Sequence, residues 1–347
     1  VTAVRIGLAG YGFGGQFFHA PLIASAPECE FMGVVTTSPE RQRLFAERFP
    51  GRATFDSLEA LAAAGAQAVA ISTPAHTHTA LAQRALRLGL AVVSDKPFAL
   101  DAAAAEETVL LAGEVARPLS VYQNRRWDSD FRTVRKALAD GLLGEPVRFE
   151  SRFERYRPEP GPPVAGAGTL RDFGSHLVDQ ALVLFGPARA VYAEMHVRTN
   201  ATALDDDVFV AITHVGGVQS HLWGSWRQSA PGPRFRVTGT DATYIVVPDM
   251  DGQEARLVAG ESPATAGDWG VEPPDRWGHV YGGGRAEPLP SERGAWDQFY
   301  PAFAAAVNGD GPVPVDPWDA VATATVLDAA RESAMTGRVV PVAPTLR

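Results

Sequence analysis

The chain has 347 residues and carries 31 lysines and arginines against 40 aspartates and glutamates, a formal net charge of −9, which argues against a nucleic-acid grip that would want a basic face. With 46% hydrophobic and 20% charged residues it has the composition of a folded protein long enough for two domains. A single cysteine, Cys29, allows neither an internal disulfide nor a cysteine-built zinc site; the first residues lack a signal-peptide pattern and no apolar run nears the roughly 18 residues of a membrane helix, so a soluble cytoplasmic protein is expected.

The first third alternates strand and helix. Residues 4–9 are a short apolar run ending in glycines, 16–26 read as a helix and 31–36 as a second strand. Ser38, Pro39 and Glu40 read as N-cap, first position and acidic first turn of a helix running towards residue 49. A third strand is expected at 68–72, a helix at 79–88 stopped by Gly89, a fourth strand at 90–94, a helix at 101–116 and a strand-like run at 119–122. Apolar strands separated by helices imply a parallel sheet covered on both faces, a doubly wound α/β domain over residues 1–121.

The pattern then changes. Val147, Phe149 and Phe153 alternate with Arg148, Glu150, Arg152 and Glu154, a strand with one wet face. Further strands are expected near 189–199, 207–215, 218–226, 234–239 and 242–247. Helices at 131–140, 171–185, 296–307 and 317–336 are the candidates to cover one face of that sheet. Residues 249–293, rich in glycine, proline and charge, read as a long irregular loop. Residues 122–347 thus form an α+β domain with a large, mainly antiparallel open sheet.

Gly10, Gly12 and Gly15 make a G-x-G-x-x-G turn, with Phe13 and Gly14 inside it, between a strand and a helix; this is the context of a dinucleotide-binding (Rossmann) fingerprint. The second strand of such a domain normally ends in an acid that binds the adenine ribose. Here Thr36, Thr37 and Ser38 stand in that place, with Arg41 at the start of the next helix. Hydroxyls, a helix N-terminus and a guanidinium suit a 2′-phosphate, so NADP is expected, with NAD as the other option.

Two segments leave the sheet at the same ligand-binding edge. One holds Ser72, Thr73, Pro74, His76 and His78, the two histidines alternating on an extended stretch; the other holds Asp95, Lys96 and Pro97. A lysine at this rim is a candidate to hold a substrate hydroxyl. Further on, Asp172, His176 and Asp179 fall on one stripe of a helix. That stripe suits a histidine general base, a structural polar face or a metal site. No second histidine-rich arm with ligand spacing accompanies it, so no metal is expected.

Taken in order, GYGFGG, AISTPAHTH, SDKPFAL, SVYQNRRWD and GTLRDFGSHLVDQ resemble the Gfo/Idh/MocA oxidoreductase family. GYGFGGQFFHAPLI, VVTTSPER, VYQNRRWDSDF and RYRPE most resemble its NADP-dependent scyllo-inositol dehydrogenase branch. The resemblance implies a Rossmann domain followed by an open-faced sheet that carries the substrate site and often mediates oligomers. It implies Lys96, Asp172 and His176 as catalytic residues, although the family's Glu-Lys-Pro appears here as Asp95-Lys96-Pro97. It implies a cyclic polyol or sugar substrate, met by Lys96, Asp172 and His176; Asn124, Arg126, Tyr156 and Arg157 are further candidate contacts, with surface or interdomain packing as their other reading, and the uncovered sheet face makes a homodimer or homotetramer the expectation, with neither nucleic acid nor membrane as partner. A nucleotide-sensing regulator and a glycosidase that retains NAD are the alternatives within this fold.

Overall fold

A computed structural model of the chain describes residues 2–157, 159, 166–198, 204–247 and 251–343. Pro158 of the RYRPE motif, residue 199 at the end of an expected strand and residues 249–250 at the start of the expected loop lie outside the described residues. The chain divides into two units. The first comprises residues up to Asn124 with Gln253–Trp269 and Ala295–Ala320; the second comprises Arg125–Gly252, Gly270–Gly294 and residues from Val321. A single cut at 121/122 does not describe this, because the chain returns to the first unit twice.

In the first unit β1 (Val4–Ala9), β2 (Cys29–Val35), β3 (Ala53–Phe55), β4 (Ala68–Ile71), β5 (Ala91–Ser94) and β6 (Leu119–Val121) form one sheet in the order β3-β2-β1-β4-β5-β6. All its pairs are parallel. β4, β5 and β6 are buried along their whole length, which is why they read as unbroken apolar runs. The strand order reverses between β1 and β4, and ligands bind at such a reversal, beyond the carboxyl ends of the strands. The sequence did not announce β3 or the helix Leu58–Ala63. β3 is three residues long and largely exposed, so it leaves no apolar run, and the helix is marked only by its Ser57 cap, which accepts from the Ala60 amide at 3.2 Å.

The helix expected at 16–26 has two parts, a π-helical turn Gly14–His19 and an α-helix Ala20–Ser25. Pro21, with no N–H to donate, sits in the first turn of the second part. The helix Phe299–Asn308 packs on β1 and β2, so this expected cover of the second sheet belongs to the first one.

The second unit is built on β7 (Pro146–Glu154), β8 (Ala188–His196), β9 (Asp207–His214), β10 (Gln219–Ser225), β11 (Phe235–Gly239), β12 (Thr243–Val246), β13 (Gly278–Gly282), β14 (Arg285–Leu289) and β15 (Val340–Pro341), ordered β14-β13-β12-β11-β7-β10-β9-β8-β15. Only β7 and β10 pair in parallel. The helix Thr169–Phe185 crosses β7, β9 and β10 and buries Phe173, Leu177 and Val178 against Phe149, Val210, Ile212 and Leu222. On the other face Phe209, His221 and Trp223 stay half-exposed, the alternation of a sheet covered on one side. The described part of the expected loop, residues 251–293, is not a loop: it contains the helix Gln253–Val258, which joins the first unit, and the β13–β14 hairpin, which joins the second. Among the described residues no helix is long and apolar enough to cross a membrane.

Candidate active site

The candidate cofactor residues lie on the first unit. β1 runs into Gly10, whose φ of 93° and whose contact with the Ser72 carbonyl leave no room for a side chain. A Cβ on Gly15 would strike the Gly10 carbonyl, so the helix packs directly on the turn, whereas a Cβ on Gly12 would meet nothing within 4 Å. This is a close turn with one open side, the shape a pyrophosphate needs. Phe13 is 58% exposed at its lip. The residues present therefore fit a dinucleotide.

At the end of β2 no carboxylate stands in the ribose position. The Thr36 hydroxyl is buried and accepts from the Ser38 amide at 3.3 Å, while the Ser38 hydroxyl caps the helix Pro39–Arg48 by accepting from the Arg41 amide at 3.4 Å. Thr37 is exposed. Arg43 is held by Glu47 at 2.8 Å, which leaves Arg41, exposed and outside any ion pair among the described residues, as the guanidinium beside the hydroxyls.

Ser72, Thr73 and Pro74 follow β4. The expected extended stretch is instead a 3₁₀ turn, Ala75–Thr77, that leads into the helix His78–Arg87. His76 is exposed. His78 is buried and its ring nitrogens lie 2.8 Å from the Pro97 carbonyl and 2.7 Å from the Thr73 carbonyl, so it ties the two rim segments together from beneath. After β5, Asp95 accepts from the Ser72 hydroxyl at 2.9 Å and from the Lys96 amide at 2.8 Å. Burial alone would raise the Asp95 carboxyl, but the His19 ring beside it, then His78 and Lys96, outweigh burial and hold it down at about 2. Lys96, half-exposed, is one of two lysines in the whole chain; the other is Lys136. Where nearly every cation is arginine, a lysine at the rim marks a place that wants a compact point charge. The motif reading did not use that signal, and it missed His19 as well.

The remaining candidate residues lie on the second unit. The helix Thr169–Phe185 begins after Gly168, whose φ is 117°, and it is capped from a distance by Asp205. The Asp205 carboxylate accepts from the Leu170 amide at 2.6 Å, and its carbonyl accepts from the Thr169 amide and hydroxyl, both at 2.9 Å. Asp172 is therefore not needed as the cap and lies half-buried one turn before the buried His176. Asp179, third on the stripe, is taken up by Arg126 through two bonds of 2.8 and 2.5 Å. Arg126, a candidate substrate contact, thus anchors the 3₁₀ turn Asn124–Trp127 to the helix. The His176 ring stands 6.0 Å from Phe153, which stacks on Phe173 at 3.9 Å, and Phe173 meets Trp226 at 4.5 Å. Arg157 covers Trp226 at 4.7 Å and Tyr156 is 61% exposed. Asn124 is buried. Among the described residues no group of three or more His, Cys, Asp or Glu is arranged to hold a metal ion.

Residues 4–123 match the oxidoreductase family with an NAD-binding Rossmann fold, and residues 131–245 match the GFO/IDH/MocA C-terminal domain. The chain belongs to the GFO/IDH/MocA oxidoreductase family. It is similar to scyllo-inositol 2-dehydrogenase (NADP(+)) IolW of Bacillus subtilis, at 31% identity over 98% of this chain and 96% of that one. It is similar to the uncharacterized oxidoreductase YdgJ of Escherichia coli, at 35% identity over 95% of this chain and 96% of that one. The solved oxidoreductase yvaA of Bacillus subtilis superposes with a TM-score of 0.92 at 30% identity, over 99% of both chains. Like other GFO/IDH/MocA oxidoreductases, the chain joins a Rossmann domain to a mainly antiparallel sheet domain.

Proposed function

We propose that this GFO/IDH/MocA oxidoreductase interconverts a hydroxyl and a ketone on a cyclic polyol or sugar resembling scyllo-inositol, with NADP(H) preferred over NAD(H). The observation that carries the reading is the joint presence of Lys96 at the carboxyl edge of β5 and of the Asp172/His176 pair one turn apart on the helix Thr169–Phe185. The nicotinamide, when bound, supplies the hydride acceptor or donor. His176 takes the hydroxyl proton, since an imidazole exchanges protons near neutral pH. Asp172 orients His176 or the substrate. Lys96 donates to the reacting oxygen and stabilises the negative charge that grows there. The NADP relative and the acid-free end of β2 support the cofactor preference. We place the protein in the cytoplasm, where NADP(H) is at hand, as a homodimer or homotetramer assembled through the second unit.

Lys96→Ala and His176→Ala should each lower turnover of an active polyol by about 100-fold or more while NADPH binding, followed by fluorescence titration, stays nearly intact. Near-normal turnover in both folded variants overturns the assignment. Release of sugar from a glycoside without net NADPH formation would transfer the same site to a glycosidase that keeps its dinucleotide bound and cycles the hydride.

A further inference from the structure

Beneath the Lys96 loop lies a buried row of polar groups that the reaction scheme leaves unused. His19, in the π-helical turn after the glycines, is fully buried with its ring 4.3 Å from that of Tyr122. Its Nδ1 is 2.5 Å from the Tyr300 hydroxyl, and its Nε2 is 3.4 Å from Asp95 Oδ2. Asp95 in turn accepts from the Ser72 hydroxyl and the Lys96 amide. A Cβ built on Gly14 would lie 2.7 Å from Ser72 Oγ and 3.0 Å from Asp95 Oδ2. One carboxylate thus joins the glycine turn, the end of β4 and the end of β5, the three segments that frame a dinucleotide in this fold.

We propose that His19 and Tyr300 are positioning residues: they fix the Asp95 carboxylate, and through it the backbone of Lys96, against the glycine turn. Burial pushes the Tyr300 hydroxyl well above its ordinary range, so it keeps its proton. In the neutral ring Tyr300 donates to Nδ1, which leaves the proton on Nε2, facing Asp95; a doubly protonated ring also presents Nε2–H to Asp95. The other charged or titratable groups facing Asp95 are His78, from the helix beside it, and Lys96 itself.

The inference rests on the reading of Lys96 as the hydride-transfer lysine for its turnover arm alone, and the test separates the two. Reductive ¹³C-methylation of the whole protein gives two lysine signals beside that of the amino terminus, because Lys96 and Lys136 are the only lysines. Tyr300→Phe keeps the ring and removes the hydroxyl; His19→Leu removes both nitrogens; His19→Gln restores an N–H near the Nε2 position. In Tyr300→Phe and His19→Leu the Lys96 signal should move while that of Lys136 stays, and kcat should fall by about 10-fold or more with NADPH affinity changed by less than about 3-fold. His19→Gln should recover most of the loss. An unmoved Lys96 signal overturns the proposal. So does a loss of kcat matched by equal losses of NADPH affinity and thermal stability in all three variants, which would make the row mere packing. A wild type that turns over no polyol defeats the functional reading, while the lysine signals and the NADPH titration still decide this one.

Discussion

A carboxylate at the end of the second Rossmann strand binds the adenine ribose of NAD and repels the 2′-phosphate of NADP, which brings up to about two negative charges. This chain has Thr36 there, with its hydroxyl turned inward to the Ser38 amide, and an unengaged Arg41 one turn into the following helix. Thr36→Asp should therefore raise the ratio of kcat/KM with NAD to that with NADP by about tenfold or more, measured with one active polyol. A wild type that already favours NAD tenfold, or a ratio unchanged by the substitution, would contradict the placement of the ribose subsite. At this scale the glycine turn and the acid-free end of β2 in the candidate site could be read from sequence, because both are local facts about neighbouring residues. His19 and Tyr300 could not. They are 281 positions apart, and only the tertiary fold brings an ordinary tyrosine to an ordinary histidine.

Single elements were legible where one face stays wet and the other dry, as in β9, and where a helix carries its own cap, as at Ser38; β7 departs from its expected alternation, with Val147 exposed and Glu150 buried beside Phe149 and Ser151. The helix Ser129–Ala139 carries a feature that periodicity does not reveal. At its N-terminus Asp128 and Asp130 are buried with Asp251, whose carboxylate accepts from the Ser129 amide at 2.8 Å. Arg234 lies 3.5 Å from Asp130 and bonds Ser151 and Gln180, and Arg125 faces Asp128 at 3.4 Å. Burial pushes Asp128 well above the usual carboxylate range and Asp130 up to about 6; the arginines oppose this and the neighbouring acids reinforce it. An unfolded aspartate titrates near about 3.9, so between about 4 and 6 the folded state holds the extra proton. The contribution of Asp130 to stability is therefore complete below about pH 4 and is lost as the pH rises through about 6. His214, lowered by burial, acts with the opposite sign over part of that window, so the comparison must be between variants. From pH 5 to 7.5 the thermal midpoint of the wild type should fall more, or rise less, than that of Asp130→Asn. Parallel curves would mean that Asp130 titrates as an exposed carboxyl does.

Across the whole molecule, two features matter. The second sheet is helix-covered on one face; on the other, the Trp223 ring lies 5.2 Å from Phe209 and under the Arg152 guanidinium at 4.0 Å, with a groove of about 300 Å³ running from Glu194 and His196 to Trp223. Aromatic and arginine side chains on a broad open sheet are the usual material of an interface between copies. Light scattering at micromolar concentration should give a dimer or tetramer for the wild type and a smaller species for Trp223→Glu; a monomeric wild type would refute the assembly. The other feature is the path of the chain between the two units. Trp296, Phe299, Tyr300 and Phe303, all essentially buried, belong to the first unit although they come after most of the second in sequence. A ribosome working from the amino end has to reach residue 320 of 347 before the last core segment of the dinucleotide half exists. The half that begins first thus stays incomplete until most of the other half has been made, and residues 1–124 excised as a cassette for transfer to another enzyme would leave those four side chains behind.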